Sequence, residues 1–205
     1  MGISGNEIKR IRSLQQKKFR DETGLFIVEG EKMVQEALDS PFTVEGVYRK
    51  DEIGADAMNR ISALASPSPV LAVVHKPADS VIDDVKSLKP MLSNGGMYLA
   101  LDTIRDPGNL GTILRIADWF GIDAVFATKD TVDVFNPKVV QATMGAIFRV
   151  RLHYVDLPAL SEEILALGGK IYGTFLDGRN IYQRDLDNGK ENPCVIVIGN
   201  EADGI

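Results

Sequence analysis

The sequence predicts an α/β protein of two domains, the second built on a parallel sheet with helices on both faces. Three observations lead there. Strand and helix patterns alternate along all 205 residues, the order that builds sheets covered by helices. The segment KPMLSNGG, Lys89 to Gly96, gathers Pro, Ser, Asn and Gly and is the best linker candidate. It divides the chain into residues 1–92 and 93–205. Beyond it the strands become continuous apolar runs such as Met97 to Leu101, as strands buried on both faces do.

The elements follow in order. GLFIVEGE, from Gly24, reads as a short buried strand running into a helix from Glu31 to Leu38. FTVEGVYR, Phe42 to Arg49, alternates apolar residues with the period of a half-buried strand. A helix is expected near Ala55 to Leu64, closed by the breaker SPSP at Ser66 to Pro69. VLAVV from Val70 is a third strand, and ADSVIDDVKSL from Ala78 a helix. After Met97 to Leu101, a helix from about Leu110 places Leu110, Ile113, Leu114, Ala117 and Phe120 on one stripe. Gly121 stands where a helix end favours a left-handed residue. AVFAT (from Ala124), IFRVRL (from Ile147), KIYGTF (from Lys170) and VIVIG (from Val195) are further expected strands. Helices are expected between Pro137 and Gly145 and between Leu157 and Leu167.

The composition, 44% hydrophobic and 25% charged, is that of an ordinary globular protein. No apolar run approaches the 18 or so residues of a membrane span. The start, MGISGNEIKRIRSL, lacks the apolar core of a secretory signal, and Asn6 stands where myristoylation prefers Ser or Thr. The single cysteine, Cys194, excludes an internal disulfide framework and reads as a core residue. These features predict a cytoplasmic chain with no membrane partner. A net charge of −6 argues against wholesale coating of nucleic acid. Yet Lys9, Arg10, Arg12, Lys17, Lys18 and Arg20 follow one another without an intervening acid. Such a cluster either docks RNA phosphates, releasing condensed counterions, or is only a solvated helix face.

The strongest site candidates lie between Leu101 and Gly121, LDTIRDPGNLGTILRIADWFG. Asn109 precedes the apolar stripe, where a helix cap alone would explain it. Arg115 lies off the stripe, three residues before Asp118, where a weak exposed ion pair would explain it. DPGNLG does not have the glycine spacing of a dinucleotide fingerprint, and GNEADGI lacks the Lys-Ser/Thr of a phosphate loop. An ordinary doubly wound nucleotide enzyme is therefore disfavoured. His75 and His153 have no Cys or carboxylate at metal-ligand spacing, so no metal is expected.

Several segments in the correct order resemble the SpoU/TrmH family of knotted RNA ribose methyltransferases. Asn109, Gly111, Arg115, Phe120 and Gly121 match its first motif. PKVVQATMGAIFRV, Pro137 to Val150, resembles a middle segment, with Gln141 where a basic residue is usual. Gly199, Asn200, Glu201 and Gly204 match its second motif, with Ala202 in place of a more usual Gly. FIVEGEKMVQEAL, Phe26 to Leu38, resembles the family's small ribosomal-protein-like substrate-binding domain.

The resemblance implies S-adenosylmethionine as cofactor, a ribose 2′-hydroxyl in ribosomal or transfer RNA as acceptor, and a homodimer. It implies a trefoil knot, which is rare in proteins. Thr174, Gly199, Asn200 and Gly204 would bind the cofactor, since strand-end glycines let a ligand approach the backbone. Arg115, Asn109 and Glu201 would be catalytic. Arginine effectively never deprotonates, so Arg115 is expected to clamp a phosphate and stabilise developing alkoxide charge. The proton would leave to a phosphate oxygen or to water. Asn109 would hold the loop or the ribose, and Glu201 would orient backbone or substrate. A third motif, with an Ile-Pro run and a Ser-Leu-Asn step, is implied beyond Ile205. The expectation is therefore a domain truncated before the knot closes, in a longer gene product, and no methyl transfer by these 205 residues alone. The alternative is a non-catalytic RNA-binding module that keeps the fold.

Overall fold

In the computed structural model, residues 2–175, 177–180, 182, 190–200 and 204 are described. Two compact units form: Met1–Pro77 with Asp133–Arg149, and Ala78–Val132 with Val150–Ile205.

The first unit runs α1 (Gly5–Ser13), α2 (Lys17–Thr23), β1 (Leu25–Glu29), α3 (Glu31–Asp39), β2 (Val44–Arg49), α4 (Lys50–Ile53), α5 (Ala55–Ile61) and β3 (Val70–His75). Its sheet has the order β1-β3-β2, with β3 antiparallel to both neighbours. The helix α3 thus links two parallel strands with a third slotted between them, a split βαβ arrangement. Strand periodicity sends Leu25, Ile27, Leu71 and Val73 to one face, where they pack with Ile8, Ile11, Leu14, Met58 and Ile61. Each fully buried side chain of this kind contributes roughly 1.5–3 kcal/mol.

Phe26 is fully buried and meets Phe135 at a ring-centroid distance of 4.9 Å; Phe42 meets Phe148 at 5.3 Å. The segment 133–149, with α8 (Pro137–Thr143) and a 3₁₀ turn (Ala146–Phe148), therefore packs in the first unit. The linker boundary near residue 92 assigned these residues to the second domain by chain position. Phe135 and Phe148 place them by apolar burial.

The second unit contains a 3₁₀ turn (Val85–Leu88), α6 (Lys89–Leu92), β4 (Gly96–Leu101), α7 (Pro107–Phe120), β5 (Ala124–Ala127), β6 (Leu152–Tyr154), α9 (Leu157–Ala166), β7 (Lys170–Gly173) and β8 (Pro193–Ile198). All five strands run parallel in the order β6-β5-β4-β8-β7. Tyr98, Ala100, Phe126 and Val195 of the sheet pack with Leu160 and Ile164 of α9. Burial pushes the Tyr98 phenol up to about 12, while its hydroxyl donates to the Gly95 carbonyl at 2.7 Å. Cys194 is a buried free thiol.

Three expected elements differ. The helix expected over Ala78–Leu88 is reduced to the turn Val85–Leu88, because the backbone at 80–82 pairs with β6. There Tyr154 N–H donates to Ser80 O at 2.8 Å and Ile82 N–H to Tyr154 O at 2.9 Å. The expected linker contains α6, whose Leu92 is fully buried. The expected strand Ile147–Leu152 splits, because Met144 and Gly145 both adopt positive φ (49° and 97°) and turn Ile147 and Phe148 into apolar packing; β6 begins only at Leu152. The expected knot depends on the C-terminal segment, of which residues 201–203 and 205 lie outside the described residues. Among the described residues, no helix is long and apolar enough to cross a membrane.

Candidate active site

In a parallel sheet the order reversal marks a ligand crevice at the carboxyl ends of the strands. Here the order reverses between β4 and β8: β4 leads through α7 outward to β5, whereas β7 and β8 lie on the other side. The residues following β4, β5, β7 and β8 converge at this edge. Asp102 N–H donates to Ile198 O at 2.9 Å, and Thr128 N–H to Leu101 O at 3.0 Å. Thr174 turns both its N–H (3.1 Å) and its hydroxyl (3.0 Å) onto Val197 O. Asn200 and Gly204 exchange backbone hydrogen bonds, Asn200 N–H to Gly204 O at 2.9 Å and Gly204 N–H to Asn200 O at 3.0 Å. The Asn200 amide also donates to Thr103 O at 2.8 Å, tying the chain just after β8 to the loop after β4.

That β4–α7 loop carries strain. Thr103 has φ of +57°, a left-handed conformation that is an outlier for a β-branched residue and costs about 1–2 kcal/mol. Thr128 Oγ1 accepts its N–H at 2.9 Å, and Thr131 Oγ1 accepts the N–H of Ile104 at 3.2 Å. Nothing in the sequence signals Thr103, since no local pattern predicts a left-handed threonine.

The helix α7 starts at Pro107, three residues before its apolar stripe. Asp106 is its cap, accepting the Asn109 N–H at 2.8 Å. The capping explanation of Asn109 thus passes to Asp106, and Asn109 sits half-buried in the first turn. Leu110, Leu114 and Ala117 are buried as the stripe requires, but Phe120 is 73% exposed. It shares a face with Ile116 and Trp119, the latter 85% exposed. Arg115 is exposed and, among the described residues, forms no ion pair, so the pairing with Asp118 that would explain it away is absent. It lies about 9 Å further along the helix than Asn109.

Gly199 is half-buried, Thr174 and Gly204 are exposed, and Glu201 lies outside the described residues. Beside this edge a groove of about 390 Å³ opens between α9 and the sheet. Its wall is largely apolar, including Leu160, Ile171 and Val197, and Asp102 brings a carboxylate to its lining.

The basic run is dispersed by the fold. Arg20 departs from the expected RNA-facing set, because it is buried: 1% exposed. Its guanidinium donates to Leu14 O and Gln15 O at 2.9 Å each and to Asp133 Oδ2 at 3.0 and 2.6 Å. Arg10 is held by Glu7 at 2.7 Å and Glu45 at 2.6 Å. Its hydrogen bond to Glu7, aided by Tyr48, keeps that carboxylate below its usual range despite partial burial. Lys17 and Lys18 pair with Asp21 and Glu22 one turn along α2 but stay exposed, as do Lys9 and Arg12.

The fold and site define an α/β protein of two units: one a split βαβ unit, the other a parallel-sheet unit whose strand ends lead into an Asn-Gly-Arg helix. Residues 96–205 match the SpoU rRNA Methylase family, and residues 5–81 the MRM3-like substrate binding domain. The chain belongs to the SpoU rRNA methylase family. It is 31% identical to the 23S rRNA (guanosine(2553)-2′-O)-methyltransferase RlmP of Bacillus subtilis, over 97% of this chain and 81% of that protein. A TrmH-family RNA methyltransferase structure from Porphyromonas gingivalis superposes with a TM-score of 0.83 at 36% identity, covering 100% of this chain and 84% of that one. The AdoMet-bound rRNA methyltransferase of Sinorhizobium meliloti gives 0.83 at 30% identity, covering 100% and 82%.

Proposed function

We infer that this chain is an S-adenosylmethionine-dependent methyltransferase acting on a ribose 2′-hydroxyl of ribosomal RNA. The observation that carries the reading is the state of Arg115: an exposed guanidinium, free of ion pairs among the described residues, on the helix that leaves the ligand edge of the sheet. The likeness to RlmP and to a cofactor-bound relative supports the chemistry.

The residues present fit the cofactor. A groove of about 390 Å³, in the size range of small-molecule sites, adjoins the strand ends through Asp102 and Gly173, and its apolar wall suits a flat base. Thr174, Gly199, Asn200 and Gly204 would hold the group from the strand ends. S-adenosylmethionine supplies an electrophilic sulfonium methyl. The chain's own part is positioning, which can supply several kcal/mol, and electrostatics. Arg115 clamps a phosphate of the RNA and stabilises the alkoxide that develops as the 2′-hydroxyl proton leaves to a phosphate oxygen or to water. Asn109 holds the ribose or the loop. Glu201 orients backbone or substrate.

Lys9, Arg12, Lys17 and Lys18 are the remaining exposed cations of the N-terminal run, and we assign them to RNA phosphates. The exposed face of Ile116, Trp119 and Phe120 is assigned to a homodimer, where each aromatic ring would bury about 150–250 Å². Replacing Trp119 and Phe120 by alanine should convert a sedimenting dimer to monomer. Ribosomal RNA as substrate is consistent with a cytoplasmic setting.

The deciding experiment incubates the chain, its mass verified, with methyl-labelled S-adenosylmethionine and a 23S rRNA transcript, then digests the RNA. A labelled 2′-O-methylnucleoside supports the enzyme reading and refutes the expectation that a chain ending at Ile205 is inactive. RNA binding without cofactor binding would favour a non-catalytic module.

A further inference from the structure

We propose that Thr103 is a positioning residue for methyl transfer, locked in its left-handed conformation by Thr128 and Asn200 so that the β4–α7 loop presents Asn109 and Arg115 in one orientation. The inference rests on the methyltransferase reading above and adds residues that no sequence motif assigned.

The hydrogen bonds close into a consistent set. Thr131 Oγ1 lies 3.5 Å from Leu101 O, the acceptor available to its proton. Thr128 and Thr131 hydroxyls are 3.2 Å apart, so Thr128 donates to Thr131. Both oxygens then remain acceptors, Thr128 for the N–H of Thr103 and Thr131 for that of Ile104. Val132 N–H donates to Ile104 O at 2.8 Å. From the opposite side, Asn200 takes the Thr103 carbonyl, and the Thr103 hydroxyl donates to Asp102 at 2.9 Å. A strained backbone persists only where its surroundings over-determine it. Here the surroundings come from two strand ends, β5 and β8. The chain after β8 carries Gly199, Asn200 and Gly204 of the residues assigned to the cofactor, so the Asn200–Thr103 hydrogen bond joins the cofactor side of the crevice to the substrate-side loop.

Without Thr128's oxygen, Thr103 should relax toward negative φ and swing the loop. Glycine enters the left-handed region freely, so Thr103→Gly should hold the native loop path with fewer constraints.

The test compares the parent chain with Thr128→Val, Thr128→Ser, Thr103→Gly and the Thr128→Val/Thr103→Gly double variant. Amide hydrogen exchange at residues 103 and 104 is read in the free proteins. Calorimetry gives the S-adenosylmethionine Kd, and single-turnover transfer to a 23S rRNA transcript gives the rate. Thr128→Val should speed exchange at Thr103 at least tenfold and lower transfer at least tenfold, with cofactor Kd within about threefold. Thr128→Ser, which keeps the hydroxyl, should stay within about twofold of the parent. Thr103→Gly should stay within about threefold, and the double variant should transfer at least threefold faster than Thr128→Val. A merely structural threonine would weaken cofactor binding and transfer together, whereas here only transfer should fall. Parental transfer by Thr128→Val, or a double variant no faster than Thr128→Val, overturns the inference alone. A parent that transfers no methyl overturns the methyltransferase reading, and this inference with it.

Discussion

Arg20 and Arg115 carry the same charge under opposite conditions. Arg20 is enclosed in the first unit, with two helix-end carbonyls and Asp133 around its guanidinium. Arg115 is exposed in the second unit and, among the described residues, keeps its donors free of ion pairs. A buried guanidinium must be fully satisfied, because an unpaired charge in the interior is costly. An exposed one can wait for a ligand. The difference separates a cation enclosed by the fold from one open to solvent, although the sequence presents both simply as arginines on helices.

Mutation breaks the comparison most visibly at Arg115. Arg115→Ala should lower methyl transfer about 10²–10³-fold, as the loss of one transition-state donor does, while denaturation stability changes by no more than about 0.5 kcal/mol. Arg115→Lys should restore little, since a point charge does not replace the planar fork. Kinetics and urea melts on the same preparations check both. At Arg20 the pattern should invert. Arg20→Ala should cost about 3–5 kcal/mol by stranding the Asp133 carboxylate, and Arg20→Met with Asp133→Leu should recover much of it.

A third effect is smaller. Asp106→Ala should cost about 1 kcal/mol of stability by uncapping α7, and should slow transfer as well, because the same carboxylate holds the turn containing Asn109. Equilibrium unfolding and single-turnover rates separate the two losses.

pH sharpens the comparison between the units. Tyr48 in the first unit and Tyr98 in the second both have phenols raised to about 12, chiefly by burial. A raised folded value means stability fully present below the unfolded value near 10 and lost as pH climbs to about 12. Glu7 is lowered, chiefly by its bond from Arg10. Its contribution is present above its ordinary 4.5 and lost as pH falls through the lower folded value. Tyr98→Phe should therefore flatten only the alkaline limb of a stability profile, and Glu7→Gln the acid limb. The smallest effect is expected at Lys17, whose exposed pair with Asp21 is worth about 0.3–0.5 kcal/mol. An alanine there should be thermally silent while weakening RNA binding.

Much of this was legible in the chain. The strands of the second unit were readable because buried parallel strands are continuous apolar runs, and α7 because its stripe and Gly121 are local signals. The first motif singled out Asn109 and Arg115, and the fold places both on α7. The failures share a cause. Ala78–Leu88 has helical spacing, yet an edge strand offered its backbone better partners. Ile147–Leu152 has strand composition, yet Met144 and Gly145 turn it aside. Phe120 matches the core stripe but lies exposed on the face with Trp119.

The sequence by itself determined the α/β class, the order of most elements, the family and the residues of the first motif, because these depend on local periodicity and on contiguous residues. Tertiary structure alone decided which cations are open, that residues 133–149 join the first unit, and that Thr103 is held left-handed between two strand ends. Those outcomes depend on contacts between residues as distant as Arg20 and Asp133 or Thr103 and Asn200. Burial and hydrogen-bond satisfaction are properties of such contacts, and no stretch of chain carries them alone.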